Sequence, residues 1–139
     1  MEIKKIEDIL NEKGELVMVS QGRSMFPMLR SKCDTVVIRP VKRELKKYDV
    51  VLYVRKEDGA YILHRIIGKN ENGYIIRGDN CFDKEYGISD DDVIGILEEF
   101  YRGKRHIDCT KNCFKIYSRF EVLLHPVQMW AKKIKMFFG

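Results

Sequence analysis

Apolar residues open the chain at a helical interval. Ile3, Ile6, Ile9 and Leu10 share one face and Gly14 follows as a stop, which predicts a short amphipathic helix over residues 2–13. The period then changes. Short β-branched or alternating runs over residues 15–20, 34–41, 48–55, 60–67, 74–77 and 93–101 read as strands. Lys56-Glu57-Asp58-Gly59 and Asn70-Glu71-Asn72-Gly73 supply tight turns, and residues 42–47 form a charged connection. Many short strands at close spacing predict a mainly β fold, an antiparallel coiled-sheet or barrel-like body. Beyond residue 110 the helical period returns. Ile116, Phe120, Leu123, Leu124, Val127, Trp130, Ile134 and Phe137 or Phe138 predict an amphipathic helical tail, broken or bent at Pro126. The organisation expected is a body over residues 1–110 and a tail over 111–139.

Composition narrows this picture. A chain of 139 residues, 45% hydrophobic and 34% charged, suits one globular domain with a real core. The longest apolar run, Val50 to Val54, falls far short of the ~20 residues that span a bilayer. The first residues, Met1-Glu2-Ile3-Lys4-Lys5, carry charge where a secretory signal is apolar. The expectation is a cytoplasmic or peripheral membrane protein without signal peptide or transmembrane span. The net charge of +5 is concentrated late, with nine Lys/Arg against two Asp/Glu from Arg102 onward. A basic amphipathic tail points to an anionic membrane surface, or to a helix packed on the body. Nucleic acid is the weaker reading, because no strand alternates aromatic and basic residues.

Cys33, Cys81, Cys109 and Cys113 contain no Cys-x-x-Cys pair. His106, Cys109 and Cys113 form a lone cluster, a weak zinc signal without a second pair. Free thiols in a reducing compartment, with no metal or cofactor, are expected.

The candidate chemistry lies in three stretches. Gly22-Arg23-Ser24-Met25-Phe26-Pro27-Met28-Leu29 follows a strand, and Pro27 forces a change of direction beside Ser24. Such a corner presents a hydroxyl at a surface, as a nucleophile requires, although an ordinary turn looks the same. His64 stands in Tyr61-Ile62-Leu63-His64-Arg65-Ile66, and alternation puts it on the face of Ile62. Arg77-Gly78-Asp79-Asn80-Cys81-Phe82-Asp83 follows. Serine with a histidine base is a workable hydrolytic pair, since imidazole titrates near neutrality.

Taken in order, these stretches resemble the boxes of the signal peptidase I family, over roughly residues 16–100. Histidine followed by arginine at the base position is similar to the archaeal and endoplasmic-reticulum variants rather than the lysine-based bacterial ones. The resemblance implies Ser24 as nucleophile, His64 as general base and then acid, and an aspartate, Asp79 or Asp83, to orient the imidazole. It also implies a peptide or protein substrate bound extended as an added strand beside the residues before Ser24, and small residues before the scissile bond. The chain departs from the family in three respects. It lacks the usual membrane anchor, the interval to Asp83 is short, and Gly22 stands where many members have serine, as in the related LexA-type self-cleaving repressors. The implied function is a serine endopeptidase that removes leader or signal segments. A non-catalytic peptide-binding module and a self-cleaving regulator are the alternatives, the latter weakened by the absence of a helix-turn-helix in residues 1–14.

Overall fold

A computed structural model describes residues 5–138. In chain order they form α1 (Ile6–Lys13), β1 (Leu16–Val19), β2 (Asp34–Arg39), β3 (Val50–Val54), β4 (Tyr61–Asn70), β5 (Gly73–Arg77), β6 (Glu85–Ile88), β7 (Val93–Arg102), β8 (Arg105–Asp108) and α2 (Asn112–Phe138). The strands make one 8-stranded antiparallel sheet in the order β1-β2-β7-β3-β4-β5-β6, with β8 added on β7. β1 and β6 end the path without pairing to each other, so the sheet is open and not a closed barrel. The mainly β fold with a helix at each end matches the hydrophobic pattern. The expected start of the first helix at residue 2 lies outside the described residues. β6 and β8 were not foreseen, because Glu85-Tyr86-Gly87-Ile88 and Arg105-His106-Ile107-Asp108 hold too few apolar residues to declare a period.

β3 is the centre of the sheet, paired with β4 on one side and β7 on the other. Its residues alternate between two cores. Val50 and Leu52 join Leu10, Val36, Ile38 and Phe100, while Val51 and Tyr53 join Ile66, Ile76 and Ile88. Burying each such side chain contributes about 1.5–3 kcal/mol, which is why this run has no polar residue. On β4, Leu63 and Arg65 turn to the first side and His64 and Ile66 to the second. A bulge between Ile66 and Gly68 then resets the pairing with β5.

α2 is continuous through Pro126, where the pattern predicted a break or a bend. Contacts on both sides of the proline hold it to the body. Ser118 and His125 precede it, and Met129 and Lys132 follow. Glu121 is buried on the same side, and its Oε1 has no hydrogen-bond partner. Burial, and then the nearby Asp79 charge, push its carboxyl up from the usual range. The folded chain therefore keeps this proton where the unfolded chain has lost it. The resulting stability is complete below the ordinary carboxylate range and is lost as pH rises through the raised value. Glu121→Gln is expected to raise the unfolding free energy by about 1 kcal/mol near pH 8 and to change it little near pH 4, read by urea titration at both.

Candidate active site

The turn after β1 is built for its backbone before its side chains. Gly22 has φ +72°, the left-handed region, and a Cβ there would meet nothing within 4 Å. The requirement for glycine is therefore conformational, which accounts for its place where a serine would be strained. Phe26 N–H then donates to Arg23 O at 3.1 Å and Leu29 N–H to Met25 O at 2.9 Å. The Phe26–Pro27 peptide is cis. Met25, Met28 and Leu29 are buried and anchor the turn, leaving Ser24 half-exposed at its top. The loop after β5 staples the turn: Asn80 N–H donates to Ser24 O at 2.8 Å and Asn80 Nδ2 to Arg23 O at 3.0 Å. Among the described residues the Ser24 N–H and hydroxyl have no hydrogen-bond partner.

His64 sits on β4 opposite Val51 and is buried. Its Nδ1 lies 3.5 Å from Tyr53 Oη, which is 2.5 Å from Glu85 Oε2. Arg55 Nη2 holds the other oxygen of Glu85 at 2.7 Å. Burial and the hydrogen bond to Glu85 push the Tyr53 phenol up, so it keeps its proton. Burial alone would raise Glu85, but the hydrogen bonds from Tyr53 and Arg55 outweigh it and hold the carboxyl below its usual range. The donor count follows. Tyr53 has one O–H, spent on Glu85, so its oxygen can only accept from His64 Nδ1–H. That tautomer leaves Nε2 with a lone pair. Burial, opposed by the Glu85 charge, lowers the His64 pKa from 6.5, and the ring is neutral at neutral pH.

Nε2 points toward the Ser24 turn. A Cβ added to Gly78 would lie 2.9 Å from His64 Nε2, 2.7 Å from Ser24 O and 2.7 Å from Cys81 Sγ. Gly78 is thus required by space, since the imidazole, the turn backbone and the thiol converge on it. Ser24, His64, Cys81, Met18, Arg55 and Tyr61 line one cavity of about 400 Å³ that opens beside edge strand β1. Among the described residues Ser24 and His64 make no direct hydrogen bond. Burial pushes the Cys81 thiol up and keeps it protonated, so it is a poor competitor for the nucleophile's role.

Neither aspartate expected beside His64 contacts the imidazole. Asp79 is buried and gives both oxygens to Arg65, at 2.8 Å each from Nε and Nη2. Asp83 is exposed and makes no hydrogen bond to His64. The carboxylate that reaches the imidazole is Glu85, through Tyr53. Neither was singled out from the sequence, because Tyr53 looked like one more apolar strand residue and Glu85 lay outside any expected strand. α2 braces the loop after β5 from outside the cavity. His125 Nε2 lies 2.7 Å from Cys81 O, and Lys132 Nζ donates to Asn80 O at 2.8 Å.

The four cysteines are free. Among the described residues no group of three His, Cys, Asp or Glu is placed to hold a metal ion, so His106, Cys109 and Cys113 do not gather into a centre. No helix there is long and apolar enough to cross a membrane. Compared with known proteins, the chain matches no family model and no curated protein.

Two substitutions separate the framework from the chemistry. Asp79→Ala is expected to lower the unfolding free energy by about 3–5 kcal/mol, because it leaves the Arg65 charge buried and alone. A carboxylate with a purely catalytic role would leave the denaturant midpoint where it was. Gly78→Ala is expected to cost about 1–3 kcal/mol and to displace the His64 ring, seen as a shift of its imidazole resonances.

Proposed function

We propose that the chain is a serine endopeptidase of the signal peptidase type, cleaving leader or signal segments from peptide or protein substrates. The observation that carries this reading is the pairing of a neutral histidine, its Nε2 free, with Ser24 in one cavity beside an open sheet edge. Substrate adds to β1 as an extended strand, where Val17, Met18 and Val19 are exposed and the outer edge is unpaired. Ser24 Oγ attacks the scissile carbonyl as His64 Nε2 takes its proton. The free N–H of Ser24 is a donor for the developing oxyanion. His64 returns the proton to the leaving amine, and water, activated by the same nitrogen, releases the acyl group. During each proton transfer the imidazolium is held through Tyr53 by Glu85, the part an aspartate plays in a triad.

A fluorophosphonate probe should label Ser24, with labelling lost in Ser24→Ala and in His64→Ala while both variants keep the native circular dichroism. Labelling of folded Ser24→Ala at the wild-type rate would remove the serine from the mechanism. The pH dependence has a definite sign. The neutral imidazole is the active form and its pKa is depressed, so labelling rises with pH through a midpoint below 6.5 and is flat across neutrality. Tyr53→Phe removes the acceptor for Nδ1–H, and the labelling rate is expected to fall about 10²-fold.

A further inference from the structure

α2 packs a mixed side on the body, Ser118, Glu121, His125 and Met129 with Phe114 and Tyr117 half-buried, and turns an apolar side to solvent. Ser118, Glu121 and His125 are buried, with Ser118 accepting from Arg65 Nη1 at 2.6 Å. On the opposite side, apolar residues recur at alternating steps of four and three from Ile116 to Phe137. They are exposed: Leu123 by 70%, Trp130 by 65% and Phe137 by 83%. At 3.6 residues per turn the two sides lie about 180° apart. Leu124 and Phe138 widen the stripe beyond the narrow seam of a coiled coil. A soluble monomer rarely leaves a patch of this kind uncovered.

The rim says what covers it. Lys115, Arg119 and Lys133 run along one flank of the stripe and Lys135 lies on the other, all exposed. The one carboxylate of α2, Glu121, is buried on the far side. The exposed face is therefore apolar with a purely positive border. A second copy is a poor match. Antiparallel pairing sets Arg119 and Lys133 against the same basic flank, and parallel pairing sets them against Leu124 and Phe138, so neither gives an ion pair. An anionic lipid surface satisfies both features. The 27-residue helix is about 40 Å long, yet it does not meet the requirement for a span. We propose that α2 lies in the plane of an anionic membrane surface, its Leu123–Trp130–Phe137 side in the headgroup and acyl boundary and its basic rim among the headgroups. The proposal is independent of any reading of Ser24 and His64.

Trp130 is the only tryptophan in the chain, so its emission reports on the stripe directly. With phosphatidylglycerol–phosphatidylcholine vesicles at low salt, the emission of the full chain should shift to the blue and high salt should reverse the shift. Pure phosphatidylcholine vesicles should give little change. Lys115→Glu/Arg119→Glu/Lys133→Glu is expected to weaken vesicle binding by about 100-fold. Leu123→Gln/Val127→Gln is expected to weaken it by about tenfold. All five positions are exposed; Arg119 lies over the Tyr48 ring at 5.8 Å and Lys133 over Phe82 at 5.5 Å. The Leu123/Val127 variant should therefore keep the wild-type melting curve, and the charge variant should lose no more than these two surface contacts. Unchanged emission with anionic vesicles at low salt overturns the proposal. So does an equal shift on neutral and anionic vesicles. A blue shift in lipid-free protein that grows with concentration, alongside a dimer in sedimentation, assigns the stripe to a second copy and overturns it too.

Discussion

Arg65 carries a positive charge to a position closed to solvent, and its donors decide how the surrounding segments meet. Nε and Nη2 go to Asp79, Nη1 to Ser118 Oγ and Tyr48 O, and Nη2 also contacts Met28 Sδ at 3.2 Å. One side chain thereby joins β4 to the loop after β5, the Ser24 turn, the entry to β3 and the final helix. Removing a buried guanidinium from water costs several kcal/mol unless each donor finds a partner. The segments are not free to choose other positions, because any that withdraws leaves part of that cost uncompensated. Burial works against the Arg65 charge, and the paired Asp79 outweighs it and keeps the guanidinium protonated.

The candidate site depends on a contrast between neighbouring residues. Arg65 is held charged by a carboxylate in direct contact. His64, one residue earlier and facing the other way, is held neutral by burial, and the Glu85 charge that opposes this acts from behind a phenol. Had Asp79 touched the imidazole directly, the pKa would have risen and the ring would be protonated over more of the neutral range. Placing the carboxylate one hydrogen bond further off keeps its orienting effect while weakening its effect on basicity.

Much of the fold was legible from period alone. The run Val50 to Val54 fell inside an expected strand over residues 48–55, and its place at the centre of the sheet, covered on both faces, came from the structure. Gly14 stopped α1 as expected, its N–H closing on Leu10 O at 2.9 Å. The site was legible only in part. Ser24 and His64 could be picked out only because three stretches stood together in order; alone, serine at a proline corner reads as an ordinary turn and histidine in an apolar strand as a core residue. Tyr53 and Glu85 are ordinary residues in ordinary settings, and their role comes from a contact across 32 positions of sequence. Asp79 misled for a related reason. A carboxylate beside a glycine turn suggests a partner for the nearest base, whereas a guanidinium adjacent in sequence to that base took it. The apolar period of the tail gave its helix correctly but not its orientation, which depends on where Arg65, Cys81 and Asn80 present partners.

The alternation along β4 makes the position of insertions and deletions decisive. A strand repeats every two residues, so adding or removing one residue between Tyr61 and His64 exchanges the two faces. The guanidinium would then be driven toward Tyr53 and Glu85 and the imidazole into the place where Asp79 and Ser118 now hold a cation. Both errors arise from one event, and neither is repaired by a change elsewhere in the strand. Past the bulge between Ile66 and Gly68 the same event has a different outcome, because an irregular pairing can absorb an extra residue. The hairpin through Asn70 and Gly73 can therefore change length over evolutionary time, while the five residues from Tyr61 to Arg65 cannot.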